Sequence, residues 1–432
     1  MRVVAPIVGA LSVNVAACHA PPMSLATDPA RASMERNLRL LPWWWVLRWV
    51  WFGEAIWVIY LIRERGLTIG QVLAFEAVYG AIAVAGEVPT GVFADRFGRR
   101  SSLFIGSLTT SAAFLVFGLA DTIPLLVGSY ALFAVGEVFM TGADNAFLFD
   151  TLQRLGRGAE FAGRVGRLNA LSTAAIAAFT VAGGAMVAWT PLTFPILLSA
   201  VATIPAALLV LTLAEPKREG ERLAFLATGS SAARRVLRTR SMWAVMLLMA
   251  AATIAISTMA LTLQPVVVGY GVPLWSLGLF VGSHMALAAV GGWTAESLGR
   301  RLGLRPTLHG MAVLAAVALF GGASGLVWLF PLFLLPSLAW NVMHPHIADF
   351  LSRRAPDGER ATVLSIDSFT SRVAGIPAVL LLAPIVDHVG MGAGLGVAAL
   401  ALLALVGVAS LAWARSGDTT LEPAARLRED AE

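Results

Sequence analysis

Cysteine and lysine are almost absent from this sequence of 432 residues, which contains only Cys18 and Lys217 of these two types. A single cysteine excludes a disulfide framework within the chain and any metal site built from several thiolates. Charged side chains are also scarce, at 13% of all residues. An average soluble domain carries about 25% charged residues, so this scarcity argues against an ordinary soluble fold.

Apolar residues make up 58% of the chain and the mean hydropathy is +0.77, which is more than a globular core can bury. The solvent of this protein is therefore lipid. A hydrocarbon layer of ~30 Å is crossed by a helix of about 20 apolar residues, and the apolar segments here are too long and too uniform for barrel strands. We predict an all-α membrane protein with twelve spans, near residues 42–62, 69–90, 101–120, 124–149, 165–188, 191–213, 242–265, 273–295, 306–324, 326–348, 361–386 and 391–414.

The positive charges follow this topology. The net charge is +5, and 26 of the 31 Lys and Arg fall on one side of the twelve spans, whereas the other side holds only Arg63 and Arg65. This asymmetry is the positive-inside pattern and predicts that both termini lie in the cytoplasm. A basic nucleic-acid surface would not divide in this way. The excess of arginine over lysine indicates a GC-rich bacterial genome, so we expect a multi-pass protein of a bacterial cell membrane.

One decapeptide occurs twice, between spans two and three and between spans eight and nine. GVFADRFGRR runs from Gly91 to Arg100 and GWTAESLGRR from Gly292 to Arg301, at an offset of 201 residues, and both fit G-x-x-A-[D/E]-x-x-G-R-R. Pairs of an acid and an arginine four residues apart repeat as well, at the inner ends of spans four and ten (Asp150 and Arg154; Asp349 and Arg353). The chain is therefore predicted to contain two copies of a six-helix unit, related by a pseudo-twofold axis along the membrane normal.

This duplication divides the chain into segments. Residues 39–213 and 242–415 are the predicted six-helix bundles, 214–241 a basic cytoplasmic linker and 416–432 a cytoplasmic tail. The linker is expected either to form a basic amphipathic helix on the inner leaflet or to be a solvated connection. Residues 1–38 are an N-terminal extension. Its VAAC sequence at Cys18 resembles a lipoprotein signal, and the alternative is a mis-assigned start, with translation beginning at Met23 or Met34.

The twelve-span plan and the decapeptide together resemble the major facilitator superfamily of secondary transporters, over residues 38 to 415. The resemblance is carried by Gly91, Ala94, Asp95, Arg96, Gly98, Arg99 and Arg100 and by their echo in the second half. It implies two bundles that rock about a central solute cavity, with a small-molecule solute and protons as partners. We expect a monomer in the lipid bilayer that needs no cofactor, metal or nucleic acid.

In such a transporter the decapeptide is expected to act as a latch at the cytoplasmic gate, which holds the outward-open state. Asp95 could pair with Arg154 and face the partial positive charge at the N-terminus of the eleventh helix. Glu296, Arg353 and the fifth helix would mirror this arrangement. Alternatively, the arginines only anchor the topology, and Gly91 and Gly98 allow a tight turn. The predicted gate residues are Gly91, Asp95, Arg96, Gly98, Arg99, Arg100, Gly292, Glu296, Gly299, Arg300 and Arg301, with Asp150, Arg154, Asp349 and Arg353 as partners.

Charged residues inside the spans require an explanation, because each one at the bilayer centre costs several kcal/mol. Acids in such positions can carry protons as access alternates, and the candidates are Glu54, Glu137, Asp144 and Asp367. Glu137, Thr141 and Asp144 are spaced by four and three residues, which would place them on one stripe of a continuous fourth helix. The alternative for Glu54 and Glu137 is a fixed ion pair, with Arg48 and Arg372 respectively.

The first, fourth, seventh and tenth helices line the cavity in the resembled family. Mapped onto this sequence, these helices give the candidate cavity residues Arg48, Trp51, Trp57, Thr141, Ser257, Gln264, Trp340, Asn341 and His344, together with Glu54 and Glu137. Arg372, in the eleventh span, is a further cavity candidate. This aromatic content suits a bulky or amphipathic solute. The run of Trp43, Trp44 and Trp45 is interpreted as an interfacial belt.

The substrate is less well defined than the fold. Drug antiporters of the resembled family usually carry an arginine in the fourth helix and a glycine-proline step in the fifth. Here the fourth helix has Glu137, and Phe179 and Thr180 stand where that step would be. We predict proton-coupled efflux of a small hydrophobic or cationic compound, because an acid beside tryptophans suits a cation. The alternatives are import or export of a small metabolite and, less favoured, a sensor, a scaffold or a membrane enzyme.

Overall fold

The computed structural model describes residues 29–216, 236, 238–355 and 360–416, and every regular element in these ranges is helical. The predictions for Cys18 and the signal-like segment, for most of the linker and for the tail after residue 416 lie outside the described residues. The first part of the chain forms eight helices, namely α1 (Pro29–Leu47), α2 (Trp57–Arg63), α3 (Ile69–Phe97), α4 (Arg99–Leu119), α5 (Ile123–Met140), α6 (Ala143–Arg154), α7 (Phe161–Met186) and α8 (Thr193–Thr212).

The second part repeats this plan. Its helices are α9 (Arg240–Gly269), α10 (Leu277–Leu302), α11 (Leu304–Ala323), the short α12 (Phe330–Phe333), α13 (Leu335–Arg354), α14 (Arg360–Val389) and α15 (Met391–Ala414). Within the described ranges, 11 helices are long and apolar enough to cross a membrane, and 12 if the bent first pair counts as one span. This confirms the all-helical, twelve-span prediction.

The sequence predicts one continuous helix for the first span, but the structure shows a break in it. The span bends by 42° between Pro29–Ala55 and Trp57–Arg63, with a 3-10 turn at Phe52–Ala55. Arg48 therefore lies beyond the end of α1, at the break. The backbone groups freed by the break bind side chains from elsewhere: Phe52 N–H donates to Ser199 Oγ at 2.9 Å, and Val58 N–H to Gln264 Oε1 at 3.0 Å. A broken helix is stable inside a membrane only with such replacements.

The fourth span is also broken, so the predicted stripe of Glu137, Thr141 and Asp144 on one helix is wrong. α5 ends at Met140 and α6 begins at Ala143, with Gly142 at a φ of 80° between them. Glycine adopts this left-handed conformation without the steric penalty that a Cβ brings. Glu137 consequently belongs to α5, whereas Asp144 lies in the first turn of α6.

The decapeptides are helical rather than loops. α3 continues to Phe97, and only Gly98, at a φ of 95°, separates it from α4. In the second copy all ten residues belong to α10, and the break falls at Gly303, at a φ of 82°. The N–H groups of these glycines bind Ala94 O and Gly299 O at 3.1 and 3.0 Å. Gly91 and Gly299 are therefore not turn residues. In the second half the turn falls at Gly303, four residues after Gly299, which is the equivalent of Gly98.

Most contacts between the halves are made by two helix pairs, α3 with α14 and α7 with α10, and α9 also contacts α2. The end of the bundle that carries Gly98 and Gly303 is called the motif end below, and the other is the opposite end. α3 and α14 run antiparallel and touch at three levels, since Gly70 lies against Asp387, Gly80 against Ile376, and Glu87 near Arg372. Arg372 and its acidic partners lie along this seam.

Candidate functional site

An arginine of the second half binds two acids of the first half at the seam. Arg372, on the face of α14 that meets α3, places Nη2 3.3 Å from Glu137 Oε1 and Nε 3.8 Å from Glu87 Oε1. Glu137 comes from α5 and Glu87 from α3, so three helices meet at one guanidinium. The Glu137 side chain is 18% exposed, against 37% for Arg372. Of the two ion-pair alternatives, the one between Glu137 and Arg372 is present in this conformation.

More acids than cations gather here. Glu76 on α3 lies close enough to Glu54 and Glu137 to interact with both electrostatically, and Tyr130 is a further neighbour. The Tyr130 side chain is only 4% exposed, and no hydrogen-bond partner for its hydroxyl exists among the described residues. Arg48 also lies close enough to Glu137 to interact with it, so two guanidinium groups face a larger number of carboxylates. In a medium of low dielectric constant, this excess of carboxylates favours an additional positive charge.

Arg48 takes part in a different ion pair from the one considered for Glu54. Its Nη1 lies 2.7 Å from Asp144 Oδ2, with side-chain exposures of 9% and 8%. The guanidinium also lies over the rings of Trp44 and Trp45, at 4.6 and 4.5 Å from their centroids. Asp144, a candidate proton carrier, is thus bound to a cation, and the pair joins the end of α1 to the start of α6.

The same contacts correct the interpretation of the tryptophan run as an interfacial belt. Trp44 and Trp45 are 0% and 1% exposed, and their indole N–H groups bind Ser107 Oγ and Asn169 Oδ1. Only Trp43 is exposed, at 65%. Sequence alone could not separate these neighbours, because their partners Ser107 and Asn169 lie on α4 and α7, far along the chain.

Several predicted cavity residues have structural roles instead. The Gln264 amide binds the broken first span through Val58 N–H, Ile59 N–H and Glu54 O, and therefore joins α9 to the first half. Trp51 stacks on Phe114 at 4.3 Å within an aromatic cluster of the first half. These contacts occupy the buried Gln264 amide and the partly buried Trp51 ring, which limits the use of both side chains in binding a solute.

Other predicted cavity residues remain partly exposed. Trp57 packs edge-on to Tyr130 at 6.4 Å between ring centroids, and Ser257 lies on α9 with intermediate exposure. On α13, Trp340 stacks on His344 at 4.8 Å and donates to Thr253 Oγ1, and Asn341 binds Ser337 O. Thr141 is exposed at the break between α5 and α6. Among the described residues, no three His, Cys, Asp or Glu side chains are grouped as metal ligands.

Asp367 and Ser371 form a separate buried pair on α14. They are 8% and 6% exposed, one helical turn apart, on the face adjacent to that of Arg372. Asp367 Oδ1 and Ser371 Oγ have no hydrogen-bond partner within the described part of the chain. Buried polar atoms without partners are uncommon and identify a place where a ligand group or water is expected.

At the motif end, the first decapeptide lies in a network within its own half. Arg99 Nη1 is 2.5 Å from Asp150 Oδ2, so Asp150 pairs with the motif itself. The backbone N–H groups of Arg99 and Arg100 donate to the Glu215 carboxylate at 2.8 and 2.7 Å, and the Arg100 side chain binds Val210 O and Leu211 O at the end of α8. Glu215 was missed by the sequence analysis, since nothing in its own segment distinguishes it.

The second decapeptide is bonded differently. Glu296 Oε1 accepts a hydrogen bond from Arg300 at 3.0 Å and Asp349 binds Arg353 at 2.8 Å, each pair within one exposed helix. The predicted link between Glu296 and Arg353 is therefore wrong for this conformation. Asp95 and Arg96 lie exposed in the last turn of α3, and Arg301 and Gly292 lie on α10. Arg154 ends α6.

The opposite end is closed by direct contacts between the halves. Asp387 on α14 accepts hydrogen bonds from Thr68 Oγ1 at 2.7 Å and from Gly70 N–H at 2.8 Å. Gly184 on α7 meets Gly278 on α10 so closely that a Cβ at position 184 would lie 2.6 Å from Gly278 N. The capping box of Thr68 and Gln71 can be recognised in the sequence and marks the start of α3. The contact between Thr68 and Asp387 cannot be recognised there, because the two residues are 319 positions apart.

Comparisons with known proteins agree with this architecture. The model of the Major Facilitator Superfamily matches residues 50–379. A mutant form of the nucleoside transporter NupG superposes with a TM-score of 0.73 at 12% identity, covering 90% of this chain and 100% of that one. No curated protein matches the sequence significantly.

Two further solved structures are similar. One is a bacterial homologue of the human lysosomal transporter Spinster in an inward-facing, unoccupied conformation, with a TM-score of 0.67, 16% identity and coverage of 90% and 97% of the two chains. The other is a POT family transporter in complex with 5-aminolevulinic acid, with a TM-score of 0.71, 12% identity and coverage of 89% and 97%. At these identities the likeness concerns the fold alone.

Proposed function

The chain belongs to the Major Facilitator Superfamily, and we propose that this secondary transporter couples the efflux of a small hydrophobic or cationic compound to the entry of protons. The observation that carries the proposal is the excess of carboxylates at the seam: Glu76 interacts with Glu54 and Glu137, and Glu137 in turn with the guanidinium groups of Arg372 and Arg48. A proton and a cationic solute would neutralise the same groups. Competition for one site is the simplest physical basis of antiport.

The link between Glu137 and Arg372 offers a mechanism. It crosses from the first half to the second, so its strength contributes to how firmly the halves are held together. A proton on Glu137 would remove the negative charge that holds the guanidinium, and Arg372 would then retain only the longer contact to Glu87. Loss of an ion pair in a medium of low dielectric constant weakens the seam at the level where the halves must separate.

The contacts at the two ends support an assignment of the conformation. The opposite end is held by Asp387 and by the approach of Gly184 to Gly278, while Glu296 and Arg353 bind within their own helices at the motif end. If the motif end is cytoplasmic, as the positive-inside pattern predicts, this arrangement is inward-facing. We place the chain in a bacterial cell membrane as a monomer with both termini in the cytoplasm, and fluorescent fusions at each terminus test that orientation.

The function is tested by transport in proteoliposomes that contain the full chain, with an imposed pH gradient and tetraphenylphosphonium as a cationic probe. Wild-type protein is expected to move the probe in the direction opposite to the proton flow. Glu137→Gln should retain probe transport down its own gradient but lose the dependence on the proton gradient. The control is Asp121→Asn, an exposed loop acid away from the seam. Transport by the wild type that ignores the proton gradient would overturn the proposal.

A second candidate is transport of a small polar metabolite, and the buried pair of Asp367 and Ser371 favours it. Their unpartnered oxygen atoms suit hydrogen bonding to a polar solute rather than contact with a hydrophobic one. The solved structures with the same fold include a nucleoside transporter and a transporter bound to 5-aminolevulinic acid. A thermal-shift screen with nucleosides, small amino acids and organic cations at two pH values separates the candidates. Stabilisation by a polar solute that Asp367→Asn abolishes would favour the metabolite.

A further inference from the structure

A crevice opens between the ends of α9 and α15, far from the seam of α3 and α14. It has a volume of about 410 Å³ and is lined by Trp243, Val408, Leu411 and Ala412 on its apolar side and by Arg240 and Arg415 on its rim. α9 begins at Arg240 and α15 ends at Ala414, so the two arginines come from the adjacent ends of antiparallel helices.

A second, polar crevice of about 520 Å³ continues the first. It is lined by Arg238, Thr239, Arg240, Ser241, Arg415 and Ser416. Arg240 and Arg415 belong to both crevices, which therefore form one groove with an apolar part and a basic part. Three exposed guanidinium groups and three hydroxyl groups line it, and none of the lining residues that the structure describes is acidic.

The groove lies at the motif end and faces outward from the bundle. Arg305, two residues after the turn at Gly303, lies over the ring of Trp413 at 5.2 Å, which places the end of α15 beside that turn. Val408 and Leu411 are 55% and 58% exposed, so the apolar part of the groove faces the lipid. The basic part then lies at the level of the headgroups, on the side where arginines are most frequent.

We propose that this groove binds one anionic phospholipid of the cytoplasmic leaflet. Its phosphate would lie among Arg238, Arg240 and Arg415, whose planar donor groups match phosphate oxygens, and an acyl chain would lie along Trp243, Val408 and Leu411. A zwitterionic headgroup also carries an amine, for which the described part of the lining offers no carboxylate. A free phosphate would leave the apolar part unused. The groove thus matches an anionic lipid in both charge and polarity.

The test is native mass spectrometry of the full-length protein in detergent, titrated with phosphatidylglycerol and, separately, with phosphatidylcholine. Each arginine near a membrane surface contributes about 1 kcal/mol to the binding of an anionic lipid, and about 1.4 kcal/mol corresponds to a tenfold change in affinity. The double variant Arg240→Gln/Arg415→Gln should therefore bind phosphatidylglycerol about 30-fold more weakly. The milder variant Arg238→Gln should lose about fivefold. The matched control is Arg31→Gln/Arg39→Gln, which removes two exposed arginines of α1.

Each outcome decides the proposal. Selective loss of phosphatidylglycerol binding in the groove variants, with an unchanged control, supports it. Equal binding of phosphatidylcholine by the wild type, or unchanged phosphatidylglycerol binding by the double variant, overturns it. Glycerol phosphate that displaces the lipid at equal concentration would assign the site to a small soluble anion instead. The melting temperature of each variant without lipid shows whether it is folded, and Arg238→Gln provides the answer if the double variant is not.

Discussion

The Thr68 hydroxyl donates a hydrogen bond of 2.7 Å to the Asp387 carboxylate, and this contact joins the two halves of the transporter at the opposite end. Thr68 is the N-cap of α3, and Gly70 N–H in the same first turn donates to the other carboxylate oxygen at 2.8 Å. A helix N-terminus carries a partial positive charge, so an aspartate is a favourable partner there. The contact exists only while the opposite end is closed.

Replacement of Asp387 by asparagine should therefore open the opposite end more often. The neutral amide loses the charge attraction to the first turn of α3, which for this exposed contact amounts to about 1 kcal/mol, or a fivefold shift in population. Spin labels at Arg63→Cys and Leu326→Cys, in a Cys18→Ser background, report the distance between the halves at this end. A longer component should grow in Asp387→Asn and not in Asp121→Asn. An identical distribution in both variants would rule out a role for Asp387 in closure.

The glycine contact between α7 and α10 predicts a stronger effect. A Cβ at Gly184 would lie 2.6 Å from Gly278 N, and one at Gly278 would lie 2.7 Å from Thr180 O. Gly184→Val should hold the ends of these helices apart and reduce transport by about tenfold or more, since each backbone clash requires the helices to separate. Gly128→Val is the control, because no atom lies within 4 Å of a Cβ there. Equal loss of transport in both variants would point to a general helix effect.

The pair of Arg48 and Asp144 is predicted to matter for stability. Both side chains are more than nine-tenths buried. Removal of one partner leaves an unpaired buried charge, which lowers the free energy of unfolding by about 3–5 kcal/mol. Asp144→Asn should lower the melting temperature in detergent markedly. The double variant Arg48→Met/Asp144→Leu should be less destabilised than Asp144→Asn, because no unpaired charge remains.

The control for this pair is Glu296→Gln, which breaks an ion pair whose side chains are 72% and 80% exposed and should change the melting temperature little. A double variant at least as unstable as Asp144→Asn would show that the rings of Trp44 and Trp45, rather than the ion pair, hold this junction together.

The twelve spans could be predicted from sequence because lipid imposes one rule on every apolar segment, internal hydrogen bonding of its own backbone. The breaks in the first and fourth spans could not be predicted from the sequence. The partners that make the first break tolerable, Ser199 and Gln264, lie 147 and 206 residues from the backbone groups they bind. Glu215 likewise lies 116 residues from Arg99. The sequence showed which residues carry charge inside the membrane, but the choice among partners depends on helix packing that no local pattern encodes.

The antiparallel register of α3 and α14 leads to the last prediction. Gly70 lies against Asp387, Gly80 against Ile376 and Glu87 near Arg372. Continued toward the motif end, this register sets Asp95 level with the first turn of α14, which begins at Arg360, so that the two would meet when the motif end closes. Each helix then carries an aspartate near its C-terminal end that can bind the N-terminus of the other, Asp387 when the opposite end is closed and Asp95 when the motif end is closed.

If the two contacts alternate, Asp95→Asn should leave membrane insertion intact, slow turnover, and favour the closed opposite end in the same spin-label measurement. Asp387→Asn should have the reverse effect on the distances. The double variant Asp95→Asn/Asp387→Asn removes one contact from each state, so its distribution should return toward that of the wild type, whereas its transport stays slow. A double variant that matches Asp387→Asn alone would mean that Asp95 does not hold the other state, and the two aspartates would then act independently.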